Sequence, residues 1–166
     1  RGQGIVETLN WSIEITRPST LTTNLSTRNM RPFIGAVEAC QLVGQTSAPD
    51  LVRWRSKALA SFNNDGVQDG AYGLRIHGML PRIVALLKKD PDTRRAVLSI
   101  YDTREDLSKD TLDVPCTQGI QFLLRDGELN MRVTMRSNDA WLGLPYDLLQ
   151  FQILGLAVSA ALGVPM

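Results

Sequence analysis

The sequence has no excess of charge of either sign, since its 18 basic and 17 acidic residues leave a net charge of +1. Nucleic acids bind clustered positive charge, so this balance predicts no nucleic-acid surface. The chain has only two cysteines, Cys40 and Cys116, in unrelated contexts. They form no disulfide framework, which favours a reducing cytoplasm. No signal peptide is visible, and no apolar run reaches the roughly 18 residues that span a bilayer, so we expect no membrane association.

Length and apolar content predict a single domain. The 166 residues, 43% of them hydrophobic, suffice to bury a sizeable core. Neither repeats nor a linker divide the sequence, so residues 1–166 are assigned to one domain. The sequence opens on an arginine and stops at Gly163-Val164-Pro165-Met166. We therefore expect it to be a segment of a longer polypeptide.

Hydrophobic spacing predicts helices mixed with mostly antiparallel strands. The tract Arg125-Asp126-Gly127-Glu128 separates two strand-like runs and is a strong hairpin signal. Residues 146–162 are apolar nearly all round, which is typical of a buried central helix. The mixture indicates an α+β fold. The other predicted elements are helices at 31–43, 51–62 and 79–89 and strands at 11–15, 95–101, 120–124 and 129–135.

One potential thiol nucleophile precedes a dense polar segment. Cys116 follows Pro115 in a loop ahead of a predicted strand. A cysteine more often behaves as a small buried hydrophobe. A reactive thiol needs cationic surroundings, which lower its pKa from about 8.5, and basic residues do lie nearby in the sequence. From these residues alone both interpretations stay open.

Three stretches of the chain resemble motifs of the thymidylate synthase family: Pro115-Cys116, Gln121-Phe122 and residues 136–147. The family's motifs read roughly Pro-Cys-His, Gln-Phe and Arg-Ser-x-Asp-x-x-Leu-Gly-Leu-Pro-Phe-Asn. The resemblance implies a thymidylate synthase-like fold, in which a twisted, mostly antiparallel sheet packs on helices around a buried central helix. Where the family has its last Asn, this chain has Asp147, as the cytidylate hydroxymethylases of the same superfamily do. Thr117 and Tyr146 also depart from the pattern. These departures argue against an ordinary thymidylate synthase.

The resemblance implies catalytic roles for several residues. Cys116 would attack C6 of a pyrimidine ring, Glu38 would order the active-site water, and Tyr72 would lie close to the C5 proton. Gln121 would contact the substrate. Without the resemblance, Glu38 is as readily a salt-bridged glutamate, because an acid on an apolar helical stripe needs either a partner or a function.

A phosphate site is implied by five residues. Arg1 matches the family's phosphate loop, and Arg136 with Ser137 match its own-subunit ligands. Arg94 and Arg95 match the arginines that reach the nucleotide of the partner subunit. Guanidinium groups bind phosphate oxygens bidentately, so several can serve one phosphate, although any one of them alone would be interpreted as a surface charge. The resemblance therefore implies a homodimer with shared sites.

Asp147 is predicted to select the base. Uracil offers an N3–H donor and an O4 acceptor, which an asparagine amide satisfies, whereas cytosine offers N4–H donors and an N3 acceptor. A carboxyl group complements cytosine when one proton is shared with N3. The alternative is an ordinary acidic residue at a helix N-terminus, where negative charge is favoured. Both roles can hold together.

The sequence therefore predicts a pyrimidine nucleotide 5-hydroxymethylase that acts on dCMP or CMP. The resemblance implies 5,10-methylenetetrahydrofolate as cosubstrate, with Asp139 and Gly143 at the folate, and no metal. Ser137 resembles the deoxynucleotide-using members and favours dCMP. The alternatives are a divergent thymidylate synthase that methylates dUMP and, from another class, a non-catalytic nucleotide- or RNA-binding homologue.

Overall fold

A computed structural model of the chain describes residues 4–16, 24–25, 28–45, 69–108, 110 and 112–166. The predicted helix at 51–62 and Arg1 lie outside the described residues. The helices are α1 (Pro32–Val43), α2 (Tyr72–Arg75), α3 (Leu80–Lys89), α4 (Thr103–Asp106) and α5 (Leu144–Leu162). The strands are β1 (Asn24–Leu25), β2 (Arg28–Asn29), β3 (Val97–Ser99), β4 (Thr117–Arg125) and β5 (Glu128–Met135).

The predicted hairpin is confirmed as β4 and β5, which pair antiparallel from Arg125–Glu128 back to Thr117–Met135. Asp126 and Gly127 form its turn with φ of 54° and 81°. Positive φ at both central residues gives a turn whose twist matches that of the flanking strands. Strand β3 pairs antiparallel with β4 on the other side, so the sheet order is β3-β4-β5. The short strands β1 and β2 form a separate antiparallel pair.

Helix α5 is the predicted central helix. It is apolar on nearly every side because it packs against neighbours on nearly every side, and its buried residues include Leu149, Phe151 and Leu154. Gly163 ends it in the left-handed conformation with φ of 74°, and its N–H bonds the carbonyl of Ser159. A glycine adopts this backbone conformation at no steric cost. The core between α5, α3 and the sheet includes Ile83, Leu87, Leu98, Ile120, Phe122, Leu154 and Val158.

Helix α1 packs closely against the first half of α5. A Cβ at Gly35 would collide with the side chain of Leu149 and lie 2.8 Å from Cε of Met30, so a larger residue here would force these two side chains to shift. The Arg31 backbone N–H donates to the hydroxyl of Tyr146 at 3.1 Å. Met30, Tyr146 and Leu149 form a second small core there. This contact fixes the N-terminal end of α5.

The predicted strand at 11–15 is wrong, because residues 4–16 contain no strand. Their apolar side chains, including Trp11, Ile13 and Ile15, are exposed. A strand exists only through hydrogen bonds to a partner strand, and this segment pairs with no strand of the described residues. In the described part of the chain, we find no helix long and apolar enough to cross a membrane.

Candidate active site

Cys116 lies in a half-buried position immediately before β4. The hydroxyl of Ser137 donates to its Sγ at 3.6 Å. Arg136 lies beside the same loop: its backbone N–H donates to the Cys116 carbonyl at 2.8 Å. Its Nε donates to the Pro115 carbonyl at 2.9 Å, and an Nη donates to that of Val114 at 3.0 Å. The thiol therefore lies in a loop that Arg136 holds through three carbonyls, with the hydroxyl of Ser137 at its Sγ.

Tyr72 contacts Thr117, the residue that follows Cys116. The Thr117 backbone N–H donates to the Tyr72 hydroxyl at 3.2 Å, and the ring stacks on Phe151 with centroids 6.4 Å apart and planes 8° apart. Burial, and then the negative charge of Asp147, raise the pKa of Tyr72 to about 12, with Cys116 adding to the effect and hydrogen bonds to Thr117 opposing it. Tyr72 therefore keeps its proton at neutral pH and is a hydrogen-bond donor there.

The turn before Tyr72 is fastened to the loop before Cys116. The Gly70 N–H donates to Oδ2 of Asp113 at 2.8 Å. A Cβ at Gly70 would lie 2.6 Å from Oδ1 of Asp113 and 3.0 Å from its carbonyl oxygen. A side chain at residue 70 would disturb this approach, so the loops before Tyr72 and before Cys116 are joined by a hydrogen bond from the Gly70 backbone to the Asp113 carboxylate.

Asp147 lies in the first turn of α5, with both of its carboxylate oxygens hydrogen-bonded to side-chain amides. Nδ2 of Asn138 donates to Oδ2 at 3.0 Å. Nε2 of Gln150 donates to Oδ1 at 2.7 Å. The charge of Asp147 contributes to the raised pKa of Tyr72, so the carboxylate lies within electrostatic reach of the phenol and, through it, of the Cys116 loop.

Asp139 and Gly143 begin and end the tight turn that leads into α5. Oδ1 of Asp139 accepts from the backbone N–H groups of Trp141 at 2.8 Å and Leu142 at 2.7 Å. The Asp139 carbonyl accepts from Gly143 and Leu144. Asp139 thus shapes the turn, and the exposed Trp141 and Leu142 side chains (51% and 60% exposed) lie on it.

Glu38 lies in the middle of α1, which packs against both the helix that carries Tyr72 and the helix that carries Asp147. The side chain is half-buried, and its Oε2 is inaccessible to solvent. A carboxylate in such a position faces the interior of the domain and not the surrounding water. Glu38 therefore belongs to the helix that contacts both helices bearing site residues.

Arg94, Arg95 and Gln121 lie apart from this group. Both arginines are exposed and precede β3, and Nε2 of Gln121 donates to the Arg94 carbonyl at 3.0 Å. Gln121 is five residues along β4 from Cys116, which at about 3.4 Å per residue is roughly 17 Å. The structure therefore brings Cys116, Tyr72, Arg136, Ser137, Asp139, Gly143 and Asp147 to one region and Arg94, Arg95 and Gln121 to another.

Three residues of the site were missed by the sequence interpretation: Asn138, Gln150 and Phe151. Gln150 could have been found, because residues three apart on a helix face each other and Asp147-x-x-Gln150 has that spacing. Asn138 and Phe151 gave no such signal. Their contacts with Asp147 and Tyr72 depend on how the loop after β5 and helix α5 fold back on the rest of the chain.

Comparison with known proteins identifies close similarities. A family model described as thymidylate synthase matches residues 51–166. The chain is 34% identical over 145 residues to the deoxyuridylate hydroxymethyltransferase of Pseudomonas phage M6, covering 82% of this chain and 41% of that protein. It is 33% identical over 182 residues to the deoxyuridylate hydroxymethyltransferase of Bacillus phage SP01, covering 99% and 48%.

A similar solved structure is the thermostable thymidylate synthase A from Bacillus subtilis. Its TM-score is 0.69 at 20% sequence identity, over 86% of this chain and 56% of that chain. The similarity confirms the predicted thymidylate synthase-like α+β fold. The chain spans about half the length of the proteins that it matches.

Proposed function

The chain belongs to the thymidylate synthase family, and on that basis we propose that it carries the nucleotide site of a pyrimidine nucleotide 5-hydroxymethylase. The observation that supports this most directly is the arrangement of a thiol, a neutral phenol and a carboxylate in one region. Cys116 has the hydroxyl of Ser137 at its Sγ. Tyr72 lies within electrostatic reach of both Cys116 and Asp147.

In the proposed reaction the sulfur of Cys116 forms a bond to C6 of the pyrimidine, which makes C5 nucleophilic. Ser137 donates a hydrogen bond to the sulfur, and Arg136 holds the loop that carries it. Bound 5,10-methylenetetrahydrofolate supplies the one-carbon unit that C5 receives, and tetrahydrofolate leaves as C5 gives up its proton. Water then adds to the resulting exocyclic methylene, and the C6–S bond breaks, which restores the aromatic ring and releases the Cys116 sulfur. Tyr72, which holds its proton, donates a hydrogen bond near C5, and Glu38 orders the water.

The turn before α5 has features that fit a folate. Gly143 brings backbone close to Asn138 and Asp147, since a Cβ there would lie 2.9 Å from Oδ1 of Asn138. The exposed Trp141 and Leu142 offer an apolar surface for a ring system. Asp139 presents a carboxylate to a nitrogen-rich heterocycle while its Oδ1 holds the turn.

We propose cytidylate as the substrate because of Asp147. One carboxylate oxygen can accept from N4–H of cytosine, and the other can share a proton with N3. Addition of the Cys116 sulfur to C6 makes N3 more basic, so the shared proton moves from the carboxyl group toward N3 and neutralises the negative charge that develops there. A uracil ring would instead place O4, an acceptor, against a carboxylate oxygen.

The second candidate substrate is dUMP, because both phage relatives are named deoxyuridylate hydroxymethyltransferases. The contact between Gln150 and Asp147 is compatible with dUMP as substrate. Gln150 uses one amide hydrogen for Asp147, and its second could be offered to an acceptor such as O4. With dUMP, Asp147 would accept from N3–H, and Gln150 would supply the donor that an asparagine supplies in a thymidylate synthase.

We propose that the phosphate is bound at sites shared in a homodimer. Arg136 lies beside Cys116, whereas Arg94 and Arg95 are exposed in the region of Gln121. Arginines that far from their own thiol are better placed to reach a site on a second copy. Symmetric homodimers use the same surface patch on both subunits, so each copy would complete the other.

The deciding experiment incubates the full-length protein with dCMP, CMP or dUMP and 5,10-methylenetetrahydrofolate. Product mass identifies hydroxymethylation or methylation, and absorbance follows dihydrofolate, which forms only if the folate is oxidised. We expect a 5-hydroxymethyl product from dCMP, less from CMP, and no dihydrofolate. Formation of dihydrofolate with a methylated dUMP product would identify a thymidylate synthase. Nucleotide binding without any product would favour the non-catalytic alternative.

Replacing Asp147 tests the choice of base. Asp147→Asn should shift the ratio of kcat/KM for dCMP over dUMP toward dUMP, because the amide now offers a donor to O4. A mismatched polar edge costs about 1–3 kcal/mol per group, or roughly ten- to a hundredfold. If the ratio stays within twofold of the parent, Asp147 does not read the base, and the cytidylate assignment fails.

A further inference from the structure

The Asp147 carboxylate is held from two directions by residues of different elements. Asn138 lies in the loop after β5 and donates to Oδ2 at 3.0 Å. Gln150 lies one helical turn after Asp147 and donates to Oδ1 at 2.7 Å. Asn138 Nδ2 also donates to Sδ of Met135 at 3.2 Å, so contacts on two sides fix this amide.

We propose that Asn138 and Gln150 are specificity-determining residues that position Asp147 for reading the base. The inference rests on the proposed function, in which Asp147 faces the pyrimidine edge. Each carboxylate oxygen has about two acceptor sites. Asn138 and Gln150 each donate an amide hydrogen to a different oxygen of the carboxylate. The two amides therefore set the plane in which the carboxylate presents its oxygens.

Without such contacts the direction would be poorly defined. The terminal torsion of an aspartate is broad, so an unheld carboxylate samples many orientations around its Cβ–Cγ bond. Hydrogen bonds to opposite oxygens remove that rotation. The edge of cytosine presents the N4–H donor next to the proton shared at N3. To meet both, the two oxygens of the Asp147 carboxylate must lie in the plane of the cytosine ring. The orientation of the carboxylate therefore matters more for its own two-point contact to cytosine than for its single contact to N3–H of uracil.

The backbone at Gly143 also favours the contact between Asn138 and the Asp147 carboxylate. Gly143 lies where a Cβ would be 2.9 Å from Oδ1 of Asn138 and 3.6 Å from Oδ2 of Asp147. The absence of a side chain at Gly143 lets the Asn138 amide reach the carboxylate. Gln150 is 8% exposed, so its amide is shielded from water that would otherwise compete for the contact. Polar groups in such positions are retained when they are hydrogen-bonded.

The helix offers a matched pair of glutamines for the test. Gln150 and Gln152 lie on α5, are 8% and 7% exposed, and can both be changed to Met with little change of volume. Gln150 bonds Asp147, whereas the Oε1 of Gln152 has no hydrogen-bond partner in the part of the chain that the structure describes. The experiment measures kcat and KM for dCMP and dUMP with the full-length protein and each variant.

We expect Gln150→Met to lower the dCMP-to-dUMP ratio of kcat/KM by at least about tenfold, mostly through kcat for dCMP, and Gln152→Met to leave it within twofold. A rise of the ratio in Gln150→Met would instead identify Gln150 as a donor to O4 of uracil and overturn the inference. Asn138→Leu should shift the ratio in the same direction. Because Asn138 is exposed, that variant keeps the test available if Gln150→Met does not fold. A general loss of structure would lower kcat/KM for both substrates equally and would leave their ratio unchanged.

The possible failures are distinguishable. If Asp147→Asn changes the ratio but neither Gln150→Met nor Asn138→Leu does, Asp147 reads the base without help and this inference is overturned, while the proposed function stands. If Asp147→Asn leaves the ratio unchanged as well, the proposed role of Asp147 itself has failed. If Gln152→Met shifts the ratio as much as Gln150→Met, the effect comes from packing in α5, and the inference is overturned.

Discussion

Two aspartates of this domain are each held at both carboxylate oxygens, but by different partners. Asp106 accepts from Nη1 and Nη2 of Arg75 at 2.7 and 2.8 Å and from the Asp102 N–H at 2.8 Å, and its side chain is fully buried. Asp147 accepts from the neutral amides of Asn138 and Gln150. A guanidinium brings a positive charge to the carboxylate that it holds, whereas an amide orients the carboxylate and brings no charge.

The comparison separates a structural carboxylate from one that can act on a ligand. Arg75 also donates to the carbonyls of Asp69 and Ile100, so the pair with Asp106 ties the loop before Tyr72 to the end of β3. The charge of Asp147 instead reaches Tyr72 and contributes to its raised pKa. We therefore expect changes at the Asp106 pair to cost stability and changes around Asp147 to cost activity.

The largest effect is expected at the thiol. Cys116→Ser should lower turnover at least about a thousandfold, because the covalent step is lost, as is common for nucleophile substitutions. The free energy of unfolding should change by less than about 1 kcal/mol, since the change is nearly isosteric. Single-turnover product formation and urea unfolding measure the two quantities. Substantial residual turnover would contradict the assignment of Cys116.

The second effect concerns stability. Arg75→Met leaves the Asp106 carboxylate buried without its guanidinium, and removing one partner of a buried pair costs about 3–5 kcal/mol. Urea unfolding measures the loss, with Arg82→Met on the exposed side of α3 as the control. The dCMP-to-dUMP ratio of the folded fraction should not change. A shifted ratio would break the distinction between the two carboxylates.

The smallest effect is expected at Gly143, beside the Asp147 carboxylate, where we expect a loss of activity. Gly143→Ala puts a Cβ 2.9 Å from Oδ1 of Asn138 and 3.3 Å from the Asp139 carbonyl oxygen, so these groups must move by a few tenths of an ångström. We expect kcat/KM to fall about three- to tenfold, since displaced catalytic groups lose rate readily. Gly4→Ala, which meets no heavy atom within 4 Å, is the matched control. Equal kinetics for the two variants would argue against a positional requirement at Gly143.

The sequence predicted the parts of the fold that depend on near neighbours. Asp126-Gly127 specifies the hairpin turn, and the apolar composition of α5 specifies its burial. The strand at 11–15 was wrong because alternation alone does not supply a partner. The Arg75–Asp106 pair joins residues 31 apart, and no local pattern marks either member. Motif similarity named Cys116, Tyr72 and Asp147, but which groups hold them depends on tertiary contacts.

The hydrogen bond between Arg31 and Tyr146, which joins residues 115 apart, has a consequence for the order of folding. The β4–β5 hairpin closes over a two-residue turn and can form within microseconds once its residues are available. Tyr72 must instead wait for Thr117, 45 residues later, and for the ring of Phe151 on the last helix. During synthesis the sheet can therefore precede the site, and the group of Cys116, Tyr72 and Asp147 is completed only after α5 has left the ribosome and docked against α1.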